Sequence, residues 1–429
     1  QACFDSSNNK VVMVYRDDGN SYYGTVAIGT VDGSANTITW GSTPVVFTSN
    51  SAMRYAPVFD SSNNMVVISF KNDGLGSYLY SIVGTVSGTG ASATITFGTE
   101  LQIDGANACD SVSSCFDTTN NRVVVTWQRT DSITGAYTGN SIVGTVSGTG
   151  TGATITYGSK TAFQVGATTY TQTVYDPDNN KVVVLWSVTG GIGTANVGTV
   201  STGPDAIAFA SPVIWAAGAS HYALNNGACY DTGSNKVVIT YTDQDNSNAG
   251  TALVGTVTTG PDTMTFGTAI VFQSGSTSAG SGEGLVTEYD PDNNWTVVAY
   301  ATGAYSGYGK FLALTVSGTS ISADAATDFE GSNVGVTWVG GTYDTTANRT
   351  VLGYPDTDNS NYGTGVVVIP GVTNLTSTNF LGIADAIIAD TTSGNVTIKG
   401  GIASTGLSSL TPASDYYVQD DGTITTVTS

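Results

Sequence analysis

Short apolar runs of Val, Ile, Leu and aromatic residues recur along this 429-residue chain, separated by stretches of Asp, Asn, Ser, Thr and Gly. Val11-Val12-Met13-Val14-Tyr15, Val182-Val183-Val184-Leu185-Trp186 and Val237-Val238-Ile239-Thr240-Tyr241 are typical. No segment sustains a 3.6-residue apolar period, so the pattern predicts strands and minimal helix. The runs are continuous rather than alternating, which fits strands covered on both faces.

Aligned on these runs, the chain repeats. An Asp stands at positions 5, 60, 117, 176, 231, 290 and 344, so successive copies lie 54 to 59 residues apart. An aromatic precedes each Asp (Phe4, Phe59, Phe116, Tyr175, Tyr230, Tyr289, Tyr343), and Asn follows four residues later (Asn9, Asn64, Asn121, Asn180, Asn235, Asn294, Asn348). Ten residues after the Asp comes a second aromatic: Tyr15, Phe70, Trp127, Trp186, Tyr241, Tyr300, Tyr354. Four positions in register through seven copies mark an internal repeat. Asp-Ser-Ser-Asn-Asn and Asp-Pro-Asp-Asn-Asn are turn sequences, because Pro presets φ while Asp and Asn bond their own backbone and tolerate αL.

Each copy therefore predicts a hairpin at that turn, a third strand such as Gly29-Thr30-Val31 or Gly84-Thr85-Val86, and a fourth such as Thr37–Trp40 or Thr94–Phe97. Copies six and seven are less regular, with Leu314-Thr315-Val316 then Ile321, and Val366–Ile369 then Leu375. Seven units of four antiparallel strands predict an all-β fold, a seven-bladed β-propeller over residues 1–381. A β-solenoid is the rival, but it would not need four hairpin-linked strands per unit. Residues 382–429 leave the repeat and predict a small β-rich C-terminal module, with strands within 384–390, 394–402 and 416–427.

The aromatic-Asp-Pro turn resembles that of kelch-type blades, although their double glycine is missing. The segment Gly406-Leu407-Ser408-Ser409-Leu410-Thr411-Pro412, with Tyr416-Tyr417-Val418-Gln419-Asp420-Asp421-Gly422-Thr423-Ile424-Thr425 after it, resembles a module at the ends of bacteriophage tail-fibre and other virion-associated proteins. The seven copies likewise resemble Asp-rich propeller repeats of fibre-like proteins from aquatic phages and bacteria. The resemblance implies an extracellular or virion-surface setting rather than an activity. The module of that family runs further than Ser429, which raises truncation or maturation as an expectation. At the other end the chain starts inside a repeat with no basic, apolar leader, so a leader is either removed or not needed.

Charge narrows the partners. Against 33 acidic residues stand 12 basic ones, a net charge of −21. No basic stripe exists to neutralise phosphates, so nucleic acid and anionic membrane are excluded as expected partners. No run of about 20 apolar residues predicts membrane insertion. Glu occurs only at 100, 283, 288 and 330, so most of the acid is turn-forming Asp, as a solubilising surface would have. Cys3, Cys115 and Cys229 occupy equivalent positions in alternate copies, too far apart for a disulfide, and Cys109 reaches Cys115 only through a bend. Free buried thiols are expected, and they leave the redox compartment open.

Catalytic chemistry finds little purchase. His221 is the only histidine, which removes multi-His metal sites, and it is expected to be a surface or channel residue rather than a catalyst. Glu283 and Glu288 near Asp290 are the acids a propeller glycosidase would draw on. No Arg cluster accompanies them, and the Ser-x-Asp-x-Gly-x-x-Trp boxes of sialidases are absent.

The loops after the second strand are more informative. Asp243, Asp245 and Ser247 in copy five, and Asp356, Asp358 and Ser360 in copy seven, alternate oxygens as Ca²⁺ prefers. No bidentate Glu closes either loop, and Asx-turns account for the same residues. No cofactor is required by the sequence; Ca²⁺ is the one it admits. Tyr22, Tyr23, Tyr137, Tyr305, Tyr308 and Tyr362 are expected on the same face. Tyr with Asp and Asn suits carbohydrate, whose apolar ring faces stack on aromatics, although solubilising tyrosines read the same way. Four glycosylation sequons start at Asn294, Asn348, Asn374 and Asn395, a number that chance supplies in so Asn- and Thr-rich a chain.

The expectation is a non-enzymatic structural or adhesive extracellular protein, a subunit of a filament or virion fibre, with surface glycan as a candidate ligand. A carbohydrate-active enzyme on the same scaffold is the alternative. Self-association is expected through the termini. Copy one has only Gln1–Phe4 before its Asp, leaving a sheet edge short of a strand, while the C-terminal segment ends in the β-prone Thr423–Thr428. Such a segment can add to such an edge, within one chain or between chains.

Overall fold

A computed structural model describes residues 1–188, 190–216, 223–277, 285–302, 307–330, 336, 338–357 and 359–370. Beyond Pro370 it describes only the short strands Ile383–Ala384, Val396–Thr397, Tyr417–Val418 and Ile424–Thr425. Among the described residues the protein is all-β, with five three-residue 3₁₀ turns and no α-helix. No described helix is long and apolar enough to cross a membrane.

Each repeat folds into an antiparallel sheet. In repeat four the inner strand Thr169–Asp176 pairs with Lys181–Ser187, which pairs with Gly193–Ser201. The turn between the first two begins at the anchor Asp. Asp176 is buried, its Oδ1 accepts the Asn179 N–H and its Oδ2 accepts Asn179 Nδ2. The next residue, Asn180, takes φ 51°, and all seven Asn at this position have positive φ. Asn tolerates that region better than other side chains because its short amide bonds locally. The second strand is the core of the sheet: Val182 through Trp186 are fully buried. Six apolar clusters fill the spaces between neighbouring repeats, as in the one joining Val183 and Leu185 of repeat four to Val237 and Ile239 of repeat five.

The fourth strand departs from the expectation of a single element. Two collinear segments share the outer position of each complete sheet. In repeat one Thr37–Trp40 pairs with one half of the third strand Tyr23–Asp32, and the start of Val45–Asp60 pairs with the other half. A glycine marks most of the breaks, for a steric reason. A Cβ at Gly158 would lie 2.0 Å from the Asp205 carbonyl oxygen in the outer hairpin of repeat four, and Gly41, Gly98 and Gly267 meet their neighbours in the same way. Val45–Asp60 then continues through a bulge at Arg54 (φ 55°) to become the inner strand of repeat two.

The chain divides into two compact units, Gln1–Pro370 and Gly371–Ser429. The boundary expected at 381/382 lies outside the described residues, as does the outer strand expected near Leu375. Within the first unit the inner strands of successive repeats pack in order, and Gly340–Asp344 of repeat seven packs on Ala2–Asp5 of repeat one. Thr346 Oγ1 donates to Asn9 Oδ1 across that seam at 2.7 Å, and Arg349 bonds Asn36 and the Gly33 carbonyl. Repeat one does carry an inner strand, Ala2–Asp5, paired as far as Met13, and Gln1 and Val14 exchange two main-chain bonds beyond it. Tyr15 is half-buried, whereas its six counterparts are buried. In the second unit Ile383–Ala384 pairs with Val396–Thr397, and Tyr417–Val418 with Ile424–Thr425.

Candidate functional site

The hairpin topology sorts each repeat between two faces of the first unit. Asp-anchored turns lie on one face, and the loops between second and third strands lie on the other, with the connections into the inner strands. The turn face is tied internally. Ser7 Oγ bonds Asn64 Oδ1, Asn120 Nδ2 bonds Asn180 Oδ1, and the hydroxyls of Tyr230 and Tyr343 donate to Asp178 and Asp292 of the preceding repeats. Arg122 and Lys181 reach the outer hairpins of the following repeats, at Asp205 and Asp262, with contacts of 2.6 Å.

The loop face is where large apolar side chains are left in solvent. Tyr22 (50% exposed), Tyr137 (47%), Tyr308 (38%) and Tyr362 (66%) lie there, together with Leu75, Ile133, Val165 and Trp338. The other exposed large hydrophobics among the described residues, Val46, Leu101, Ile214 and Val271, belong to outer-strand segments, as does Val165, whose segment Thr161–Val165 ends opposite Thr138. Strand register explains the tyrosines. Tyr23 lies opposite Asp17, Tyr78 opposite Asn72 and Tyr362 opposite Asp356, the same step of three repeats. Tyr308 holds that step in repeat six, where its carbonyl accepts the Thr302 N–H at 3.0 Å. Repeats three, four and five carry Thr138, Ile192 and Ala249 there, with Tyr137 one residue away in repeat three. Tyr78 was not among the residues singled out in the sequence, because the loops differ in length and only the pairing shows the equivalence. Tyr305 lies outside the described residues.

The loops of repeats one, five and seven share a backbone. Ser21, Ser247 and Ser360 take φ of 57°, 58° and 57°, and the residue after each is also left-handed. Tyr22 N–H and Asn361 N–H close the first and last loops on the carbonyls of Asp17 and Asp356. Asp243 is buried while Asp245 and Ser247 are exposed. Asp356 Oδ1 accepts the Asn359 N–H at 3.2 Å, an Asx-turn contact, and Ser360 is exposed. Asp358 lies outside the described residues, among which no group of three His, Cys, Asp or Glu side chains converges to hold a metal.

Cations on this face are engaged by the protein's own acids. Arg16 bonds Asp18 at 2.7 Å, which raises its pKa, and its guanidinium lies 5.0 Å from the centre of the Tyr22 ring. Arg54 pairs with Asp110 at 2.7 Å, and Arg129 with Asp104 at 3.1 Å and Asp131 at 2.8 Å. The two bonds from Thr134 and the contact with Arg129 hold the Asp131 carboxyl below the usual carboxylate range.

Of the two acids expected to matter for hydrolysis, Glu283 lies outside the described residues, as does the sole histidine, His221. Glu288 sits on the inner strand Leu285–Asp290, half-buried, within electrostatic reach of Cys3 and Cys229. Burial pushes its carboxyl up to about 8. The thiols of Cys3, Cys109, Cys115 and Cys229 are free. Asn294 and Asn348 are exposed turn residues; Asn294 Oδ1 already accepts the Tyr289 hydroxyl at 2.6 Å. Asn374 and Asn395 lie outside the described residues.

No protein-family model matches the chain, and comparison with characterised protein sequences gives no match. Solved structures similar to it include a Trypanosoma rangeli sialidase, 10% identical with a TM-score of 0.46, covering 78% of this chain and 56% of that one. AofleA from Arthrobotrys oligospora is 9% identical with a TM-score of 0.44 (77% and 87% covered), and the Dos1 propeller is 10% identical with a TM-score of 0.42 (82% and 74%). The chain thus spans little more than half of that sialidase, and at these similarities nothing about activity passes from any of the three to this protein.

Proposed function

We propose that this chain is a seven-bladed β-propeller with a small C-terminal β module, acting as a non-enzymatic structural or adhesive protein outside the cell or on a virion surface. Its loop face is the binding face, and surface carbohydrate is the ligand. The observation that carries this is the tyrosines of the loop face, beside Asp- and Asn-rich loops: Tyr308 and Tyr362 are exposed at one register step, and Tyr22 and Tyr137 are exposed one residue from it. Four antiparallel positions in each of repeats one to six, three described strands in repeat seven, and the packing of repeat seven on repeat one support the propeller. Self-association through the C-terminal segment completes the proposal, since a segment ending in Thr423–Thr428 is suited to add to a sheet edge.

A glycan array paired with a polysaccharide hydrolysis assay tests it. Binding without turnover is the expected result. The Glu288 carboxyl favours a second reading, since an acid kept protonated near neutrality is what a glycosidase general acid needs. Turnover that disappears in Glu288→Gln would establish the enzyme instead. Deleting residues 382–429 is expected to leave soluble monomers by light scattering; polymers from that truncated protein would reject terminal assembly.

A further inference from the structure

Tyr308, Tyr362, Tyr23 and Tyr78 occupy one register step in repeats six, seven, one and two. These repeats are consecutive, because the inner strand of repeat six packs on that of seven, seven on one, and one on two. The tyrosines therefore form an arc, with Tyr308 and Tyr362 exposed and Tyr23 and Tyr78 half-buried, that stops where repeats three, four and five carry Thr138, Ile192 and Ala249. Neighbouring sheets pack about 10 Å apart, so an arc at this register offers aromatics at that spacing or wider. A single sugar covers one of them; only a chain reaches the next.

Charge narrows the class further. All five arginines bond acceptors of the protein itself: Asp18, Asp110, Asp205, the pair Asp104 and Asp131, and, for Arg349, Asn36 and the Gly33 carbonyl. Lys71, Lys160 and Lys310 are paired likewise, with Asp73, Asp104 and Asp328, so a carboxylated or sulfated sugar would compete with the protein's own acids, under the repulsion of a chain with net charge −21. We infer that the arc takes an extended, uncharged glycan chain laid across consecutive repeats, one aromatic per repeat. This rests on the loop face being a carbohydrate site, and adds to it the length and charge of the ligand.

Titration calorimetry with neutral gluco- and manno-oligosaccharides from disaccharide to octasaccharide, and with oligogalacturonides as the acidic series, tests it. Affinity for at least one neutral series is expected to rise about tenfold or more along the ladder, as linked contacts accumulate. Tyr362→Ala and Tyr308→Ala are each expected to weaken the octasaccharide about fivefold, the worth of one stacking contact, with an unchanged melting curve as the folding control. Length-independent binding, or preference for the acidic series, would overturn this inference while leaving the carbohydrate face standing. Absence of binding to either series would overturn both.

Discussion

Asn180 shows how much one residue of the repeat carries. It holds a left-handed backbone, and its Oδ1 accepts from Asn120 of the preceding repeat and from the Tyr175 hydroxyl. Replacing it with Ala keeps the strain and loses both bonds, a cost of about 1–2 kcal/mol. Asn180→Gly is expected to recover the backbone part, so denaturant titration should rank wild type above Gly and Gly above Ala. Equal stability of the two variants would place the whole effect in the side chain. Most of this was legible in the sequence, because Asp and Asn at fixed offsets have few conformations to choose from. The choice of Tyr or Phe before the anchor was not. Tyr230 and Tyr343 follow repeats whose turns present Asp178 and Asp292 to their hydroxyls, a relation between copies that one copy cannot reveal. Nor could the sequence show that Glu288, half-buried on its strand, has its carboxyl partly enclosed. Its carboxyl titrates near the ordinary value of about 4.3 in the unfolded chain and about 8 in the folded one. Between those values the folded chain keeps a proton that the unfolded chain has shed. Its stabilising contribution is therefore full below the lower value and lost as pH rises through the upper. Glu288→Gln is expected to match wild type in melting temperature near pH 5 and exceed it near pH 9; a difference independent of pH would refute the enclosure.

At the scale of the element, the second strand was read correctly because its continuous apolar run leaves no polar side to turn outward, and Val182–Trp186 are buried as that requires. The outer strand was misread as a single piece. Gly158 and its counterparts appear in the sequence as ordinary turn glycines, and only the adjacent repeat gives them a reason. Gly158→Ala is expected to displace the hairpin at Asp205 and cost about 1–3 kcal/mol, as overpacking does. Glycine-to-alanine at Gly152, where a Cβ meets nothing within 4 Å, provides the contrasting control. A destabilisation at Gly152 equal to that at Gly158 would remove the steric explanation. The loop-face tyrosines were half legible: residue type pointed to the face, whereas membership of the arc depends on pairing register, which unequal loops conceal.

For the whole molecule, an excess of 21 negative charges opposes compaction, and the short-range pairs around Arg122, Arg129 and Lys181 offset only part of it. Raising NaCl from about 0.01 M to about 0.5 M shortens the Debye length from about 30 Å to a few ångströms, and the melting temperature is expected to rise by several degrees. A fall would mean that the ion pairs outweigh the net repulsion. At three of the joints between repeats the same position accepts, the Asn four residues after the anchor: Asn64 from Ser7, Asn180 from Asn120, and Asn9 from Thr346. Joints of one kind make the repeat an interchangeable part. A gene duplication that adds or removes a whole copy recreates the same joint on either side of the change. Insertion of one residue into a turn spoils the joint before it and the joint after it. A lineage built on this plan can therefore vary the number of its copies more readily than the length of any one of them.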